Sequence, residues 1–188
     1  MSNVAIQETY DLPSGYGKVT LRAMTTLDEK MRLAGNGMDS IVNLIQNCVV
    51  EPKELKVSDL KIADLQFLMY KLRIITYGSD YRVSLRCPEC GEQLEVVVNL
   101  DDLQVITPPE DFVEPFDIAL PVSGDVLQAR LLSTTDYNAI EREGKRIKSK
   151  QPNYVGDPEF IITYKYKIVS INNEITIPSV VQEYVENM

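Results

Sequence analysis

The chain has 188 residues, a formal net charge of −9, three cysteines, no histidine and no tryptophan. Without histidine, every Ser-His and Cys-His nucleophile is excluded, along with the commonest general base near neutral pH. An acidic surface opposes general binding to phosphate backbones, and so few cysteines make no disulfide framework, which points to a reducing compartment.

Residues 4–24 read as a hairpin. Val4 to Leu12 and Lys18 to Met24 flank the turn signal Pro13-Ser14-Gly15-Tyr16-Gly17. Met1 to Tyr10 lacks the basic-then-apolar pattern of a secretion signal. No later run approaches the ~18 apolar residues of a membrane span, so the expectation is a soluble intracellular protein.

Thr26 with Glu29 forms a capping-box start for a short helix, which Gly35 can end. The next helix is capped by Asp39 or Ser40. Ile41, Leu44, Ile45, Cys48 and Val49 make its apolar face, and Pro52 stops it. A third helix, about Ser58 to Tyr77 and closed by Gly78, carries Ile62, Leu65, Leu68, Met69, Leu72 and Ile75. Phe67 and Ile74 lie off that stripe, and so broad a stripe predicts a central, buried helix.

A second hairpin spans residues 81–100. Tyr81, Val83 and Leu85 alternate with Arg82, Ser84 and Arg86 on one arm; Leu94, Val96, Val98 and Leu100 alternate with Glu95, Val97 and Asn99 on the other. Its tip is Cys87-Pro88-Glu89-Cys90-Gly91. Pro108-Pro109-Glu110-Asp111, running to Pro115, reads as a linker, dividing an N-terminal lobe (1–106) from a C-terminal lobe (107–188).

The second lobe opens with a hairpin from Phe116 to Ser133, turning at Ser123-Gly124-Asp125. Thr135 or Asp136 then starts a charged helix to about Lys150. Asp157-Pro158-Glu159 reads as an N-cap, a first-position proline and a first-turn acid. Phe160 to Ile171 has strand propensity. An internal repeat favours helix instead. Leu12-Pro13-Ser14-Gly15, Val19-Thr20-Leu21-Arg22 and Thr25-Thr26-Leu27-Asp28 have counterparts in Leu120-Pro121-Val122-Ser123-Gly124, Val126 with Ala129-Arg130, and Thr134-Thr135-Asp136. The expected fold class is therefore α+β: antiparallel β-hairpins packed with amphipathic helices, a hairpin–helix–helix unit occurring twice.

Ile177, Val180, Val181, Tyr184 and Val185 trace a final helical stripe up to Met188. It is expected to bind a partner, either because the helix is short or because the chain as given is truncated.

Cys87 and Cys90 are the candidate metal ligands. A tight CPxCG turn presents two thiolates to one ion, but structural zinc takes four ligands. Cys48 sits on an apolar helix face and reads as a small hydrophobe. Three readings stay open: a turn without metal, half of a site completed by a second chain or a partner, or a redox pair. No cofactor is expected, zinc only if another chain completes the site. The carboxylate pairs Asp101-Asp102, Glu110-Asp111 and Glu141 with Glu143 read as solvated surface, and the basic run Lys145, Arg146, Lys148, Lys150 as a helix C-terminus. No phosphate-binding loop or nucleophile elbow is present.

The order of Ile45-Gln46-Asn47-Cys48-Val49, the helix ending Tyr77-Gly78, and the CPxCG hairpin ending Val98-Asn99-Leu100-Asp101-Asp102-Leu103 resembles baseplate proteins related to the hub-assembly factors of contractile-tailed bacteriophages. The resemblance covers most of residues 17–106 and, more loosely, the rest. It implies a non-enzymatic structural or assembly role in the baseplate hub, with no catalytic residues. The partners it implies are other hub, tape-measure or tail-tube proteins. A homo-oligomer also fits; nucleic acid, membrane and small-molecule substrate do not. The expected place is the host cytoplasm during assembly and the virion tail baseplate afterwards. A zinc-ribbon-like regulatory adaptor using the Cys87/Cys90 knuckle is the alternative.

Overall fold

A computed structural model describes residues 6–35 and 37–187. Among them lie six α-helices and nine strands, the strands in three small antiparallel sheets. The chain divides into two compact units. The first holds Met1–Val57 and Ala63–Pro108; the second holds Ser58–Ile62 and Pro109–Met188.

In the first unit, β1 (Gln7–Asp11) and β2 (Lys18–Arg22) form the expected hairpin. The strand start expected at Val4 lies outside the described residues. Helix α1 (Thr26–Ala34) follows, then α2 (Met38–Cys48). The cap of α1 sits one residue earlier than the sequence suggested: Thr25 and Asp28, not Thr26 and Glu29, form the reciprocal box. Gly37, not Asp39 or Ser40, precedes α2 and gives it no side-chain cap.

Helix α2 stops at Cys48 because the chain leaves as strand β3 (Val49–Glu51), which pairs with β2. Sequence reading missed this return strand, folding its Val49 into a helical stripe. Helix α3 (Ile62–Tyr77) buries Leu65, Leu68, Leu72 and Ile75, and Gly78 ends it at φ 85°. A glycine relieves the left-handed strain there. Asp64, fully buried on α3, accepts bonds from the Ser14 amide (2.9 Å) and hydroxyl (2.6 Å), so the β1–β2 turn is tied to the helix. Strands β4 (Asp80–Arg86) and β5 (Gln93–Asn99) complete the unit.

In the second unit, β6 (Phe116–Ala119) and β7 (Val126–Ala129) lead into α4 (Thr134–Lys150) and α5 (Pro158–Lys167). The cap of α4 is Ser133, ahead of the expected Thr135 or Asp136. Asp157 caps α5 by accepting from the Glu159 amide, with Pro158 in the first turn, as read from sequence. Phe160 to Ile171 is split. Its first part lies in α5, and Ile168–Ile171 is strand β8, paired with β7. Strand β9 (Glu174–Ile175) turns back through Asn172 and Asn173, both at positive φ, before α6 (Pro178–Glu186). Ser58–Ile62 joins this unit because it runs beside the start of α4. Ile62 N–H donates to the Leu132 carbonyl (3.0 Å), and Thr134 N–H to Leu60 (2.8 Å).

The two units use one local scheme. The pairs Glu8↔Leu21 to Asp11↔Lys18 match Phe116↔Ala129 to Ala119↔Val126 at one constant offset. The register breaks recur at that offset too, between Thr20 and Leu21 and between Gln128 and Ala129. Each strand-to-helix corner carries an arginine–aspartate latch. Arg22 grips Asp28 with both guanidinium nitrogens, at 2.7 and 3.2 Å. Arg130 grips Asp136 at 2.7 and 2.8 Å. The same carboxylates accept from the cap residue: Thr25 amide and hydroxyl (2.8 and 2.7 Å), Ser133 amide and hydroxyl (2.8 and 2.7 Å).

The latches set the acid limb of stability. The Arg22 guanidinium holds the Asp28 carboxyl well below the usual range, against the opposing pull of burial. At Asp136 burial pushes upward; the bonds from Arg130 and Ser133 more than offset it and bring the carboxyl down to about 2. A free aspartate titrates at ~3.9. The folded chain therefore binds fewer protons than the unfolded chain near pH 3. The stabilisation is complete above about pH 5 and is lost as pH falls from ~4 towards 2. Asp136→Asn is expected to cost about 2–3 kcal/mol at pH 7. Urea titrations of both proteins should converge below about pH 2; a gap that stays constant with pH would remove the latch from the account.

Candidate functional site

The β4–β5 ribbon is the most exposed element with regular pairing. Seven registered pairs run from Asp80↔Asn99 to Arg86↔Gln93. By alternation, Tyr81, Val83 and Leu85 share one face with Val98, Val96 and Leu94. Five of those six side chains are large apolar groups 37% to 51% exposed, and Val97 on the opposite face is 56% exposed. The best-patterned hairpin in the sequence thus has no core beneath it.

Its tip is a knuckle. Cys87 N–H donates to the Glu92 carbonyl (2.8 Å), and Gly91 N–H to the Cys87 carbonyl (3.0 Å). Gly91 sits at φ 73°, which a side chain would strain. Hydrogen bonding from the Cys90 and Glu89 amides and from the Cys90 side chain lowers the Cys87 thiol from its ordinary value. Arg86 Nε donates to the Gly91 carbonyl (3.1 Å), placing a cation on the turn. Cys87 is half-buried and Cys90 exposed. Cys48, the third cysteine, is fully buried on α2, and burial pushes its thiol up to about 11. Among the described residues no group of three or more Cys, His, Asp or Glu is placed to hold a metal.

The final helix does not present its stripe as one surface. Val181 is fully buried, in a cluster with Leu127 and Ile168, and Tyr184 and Val185 pack against that cluster. Val181 therefore lies in the unit's own core, with Tyr184 and Val185 half-buried against it. The helical stripe was read correctly, but its sheet-facing side is taken. Ile177 (63% exposed) and Val180 (45%) remain outward. Met188 lies outside the described residues. Beside Val180 is a groove of about 620 Å³ lined by Leu120, Pro121, Val122 and Tyr184. At its rim the Tyr184 hydroxyl donates to Asp125 (2.6 Å), which also accepts from Asn172 (2.8 Å).

Several of the remaining charged candidates are engaged in ion pairs. Glu141 meets Lys145, Glu143 meets Lys165, and Lys148 meets both Asp157 and Glu159. Asp101 lies 3.6 Å from Lys71. The carboxyls with displaced titration, Asp28, Asp125, Asp136 and Asp157, all move downward. A general acid at neutral pH requires the opposite. No helix among the described residues is long and apolar enough to cross a membrane.

Neighbouring residues on α6 separate core from surface. Val181→Ala is expected to destabilise the second unit by about 2 kcal/mol, and Val180→Ala to stay within about 0.5 kcal/mol. Thermal unfolding of the two variants measures the contrast; equal effects would contradict the orientation of the helix.

No curated protein and no solved structure matches the chain. One family does: the T4 bacteriophage base plate protein family, whose model matches residues 4–153. That span runs from the first hairpin through both latches and the ribbon to the end of α4. The protein belongs to the T4 bacteriophage base plate protein family and is a structural protein of a phage tail baseplate.

Proposed function

We propose that this protein is a non-enzymatic structural or assembly component of the baseplate hub, acting through protein–protein interfaces with hub, tape-measure or tail-tube proteins. The family match over residues 4–153 carries the reading. The surface supports it: a ribbon with an open apolar face invites cover by another chain, since large exposed apolar patches mark interaction sites. The chemistry supports it as well, because a chain without histidine, whose displaced carboxyls are all held ionised, is poorly equipped for acid–base catalysis. Assembly takes place in the host cytoplasm, and no nucleic acid, membrane or small substrate is part of the role.

On this reading the outward part of α6, Ile177 and Val180, joins Val122 as a contact for a neighbouring tail protein. Val122 is 99% exposed at the edge of the groove. The shared register and paired latches support descent of both units from one duplicated hairpin–helix–helix unit.

Mass spectrometry of finished particles beside assembly intermediates tests the role. Peptides at fixed copy number in particles are expected of a tail subunit, and peptides confined to intermediates of an assembly factor. Absence from both would overturn the proposal. Val180→Asp should lower incorporation at least about tenfold without unfolding the chain, as an exposed apolar contact replaced by a charge would.

A further inference from the structure

The knuckle is a chemical device among the described residues that the structural role leaves without a use. Its form is specific. Two free cysteines three residues apart sit on one tight turn, closed by the Cys87–Glu92 and Gly91–Cys87 backbone bonds, and a glycine occupies the left-handed position within it. Such a turn holds two sulfurs so that one cation can take both. Structural zinc is tetrahedral and needs four donors, normally thiolate or imidazole. This chain cannot supply the other two. It has no histidine, and its third cysteine is fully buried on α2.

We propose that the Cys87–Cys90 tip is half of a zinc site that a second copy of this chain completes, tip to tip, so that four thiolates from two chains hold one Zn²⁺.

A second copy fits for three reasons. A twofold contact brings the same patch of both chains together, so a half-set of ligands becomes a full set with no other protein. The ribbon needs cover: a lone two-stranded ribbon is marginal in water, whereas added strands or a packed face stabilise it. On its apolar face Tyr81, Leu85, Leu94, Val96 and Val98 are each about 37–51% exposed, with Val83 half-buried between them. The charges at the tip are also self-complementary. Arg86 lies beside the tip residues Glu89 and Glu92, so a tip-to-tip twofold can set the arginine of one copy against a glutamate of the other. Arg86, already bonded to the Gly91 carbonyl, places positive charge beside a four-thiolate zinc centre, which carries net negative charge. Metal binding releases the thiol protons and forms four Zn–S bonds, with no change of oxidation state.

The proposal does not depend on hub placement, and its test is separate from the particle proteomics. The full chain, kept under a phosphine reductant and titrated with Zn²⁺, is examined by native mass spectrometry. The expected species is two chains with one zinc, returned to monomer by a chelator. Co²⁺ in place of Zn²⁺ should give thiolate-to-metal charge-transfer bands of a tetrahedral four-sulfur site. The Cys87→Ser, Cys90→Ser double variant should bind no zinc and stay monomeric, with a Tm within about 2 °C of the chelated parent, showing that it still folds. Four results would each overturn the proposal: zinc held one per chain, a dimer indifferent to zinc, a chain that stays monomeric and metal-free, or zinc retained only when a different baseplate protein supplies the other thiolates.

Discussion

Both units turn on the same corner, where a strand must become a helix across three residues in the first unit and four in the second. The first amides of a helix have no partners inside it. In each unit one carboxylate answers several of the demands at that corner. It closes a reciprocal capping box with Thr25 or Ser133, and it is held by both nitrogens of the arginine at or just past the end of the preceding strand. The arginine fixes the direction of the strand, the cap fixes the direction of the helix, and the shared aspartate fixes one to the other. Arg22 goes further and donates to the Asn47 carbonyl (2.9 Å), reaching the last turn of α2. The strand that follows α2 is thus delivered back to β2, where it completes the small sheet.

How the return strand arrives explains why these units hold with little core. A hairpin alone is marginal; a third strand and a covering helix make it stable. In the first unit that strand is β3, and in the second it is β8, extended by β9. The core is then a layer between sheet and helices. Val19, Leu21 and Ile45 fill it in one unit, and Leu127, Ile168 and Val181 in the other. The hairpin turns are secured to the last helix by a carboxylate in both, with the roles exchanged. Asp64 on α3 accepts from Ser14 of the turn, whereas Asp125 of the turn accepts from Tyr184 on α6.

The sequence revealed elements with strong periodicity and missed those with little length. The three hairpins, α3 and the Asp157 cap of α5 could be read because alternation, helical stripes and an Asp-Pro-Glu start are local signals. The repeat was legible enough to make Phe160 onward helical against its strand propensity, and α5 follows that reading up to Lys167. It failed for Ile168–Ile171, because short return strands take their shape from the sheet they join. Asn172-Asn173 was an available sign of the β8–β9 turn, since asparagine tolerates positive φ. The caps of α1 and α4 were displaced because runs of Ser and Thr offer several hydroxyls, and the distant arginine decides between them. The α6 stripe was visible as a helix face; which side met the sheet depended on contacts far away in sequence.

The ribbon shows where folding and function part. A sequence under selection for a stable monomer has reason to put its most regular apolar alternation in the core. Here Val19 and Leu21 are buried, while Leu85, Leu94, Val96 and Val98, patterned just as cleanly, stay open to solvent. Alternation of that kind reports that a face will be covered without saying by which chain. In a baseplate protein the cover can come from a neighbour, which is the reading proposed above for this ribbon. On the proposal above, the same logic applies to the tip, where two thiols on one turn would need two more donors to hold an ion. The open apolar pairs and the two cysteines lie on the same ribbon, so on that proposal a single contact would engage both.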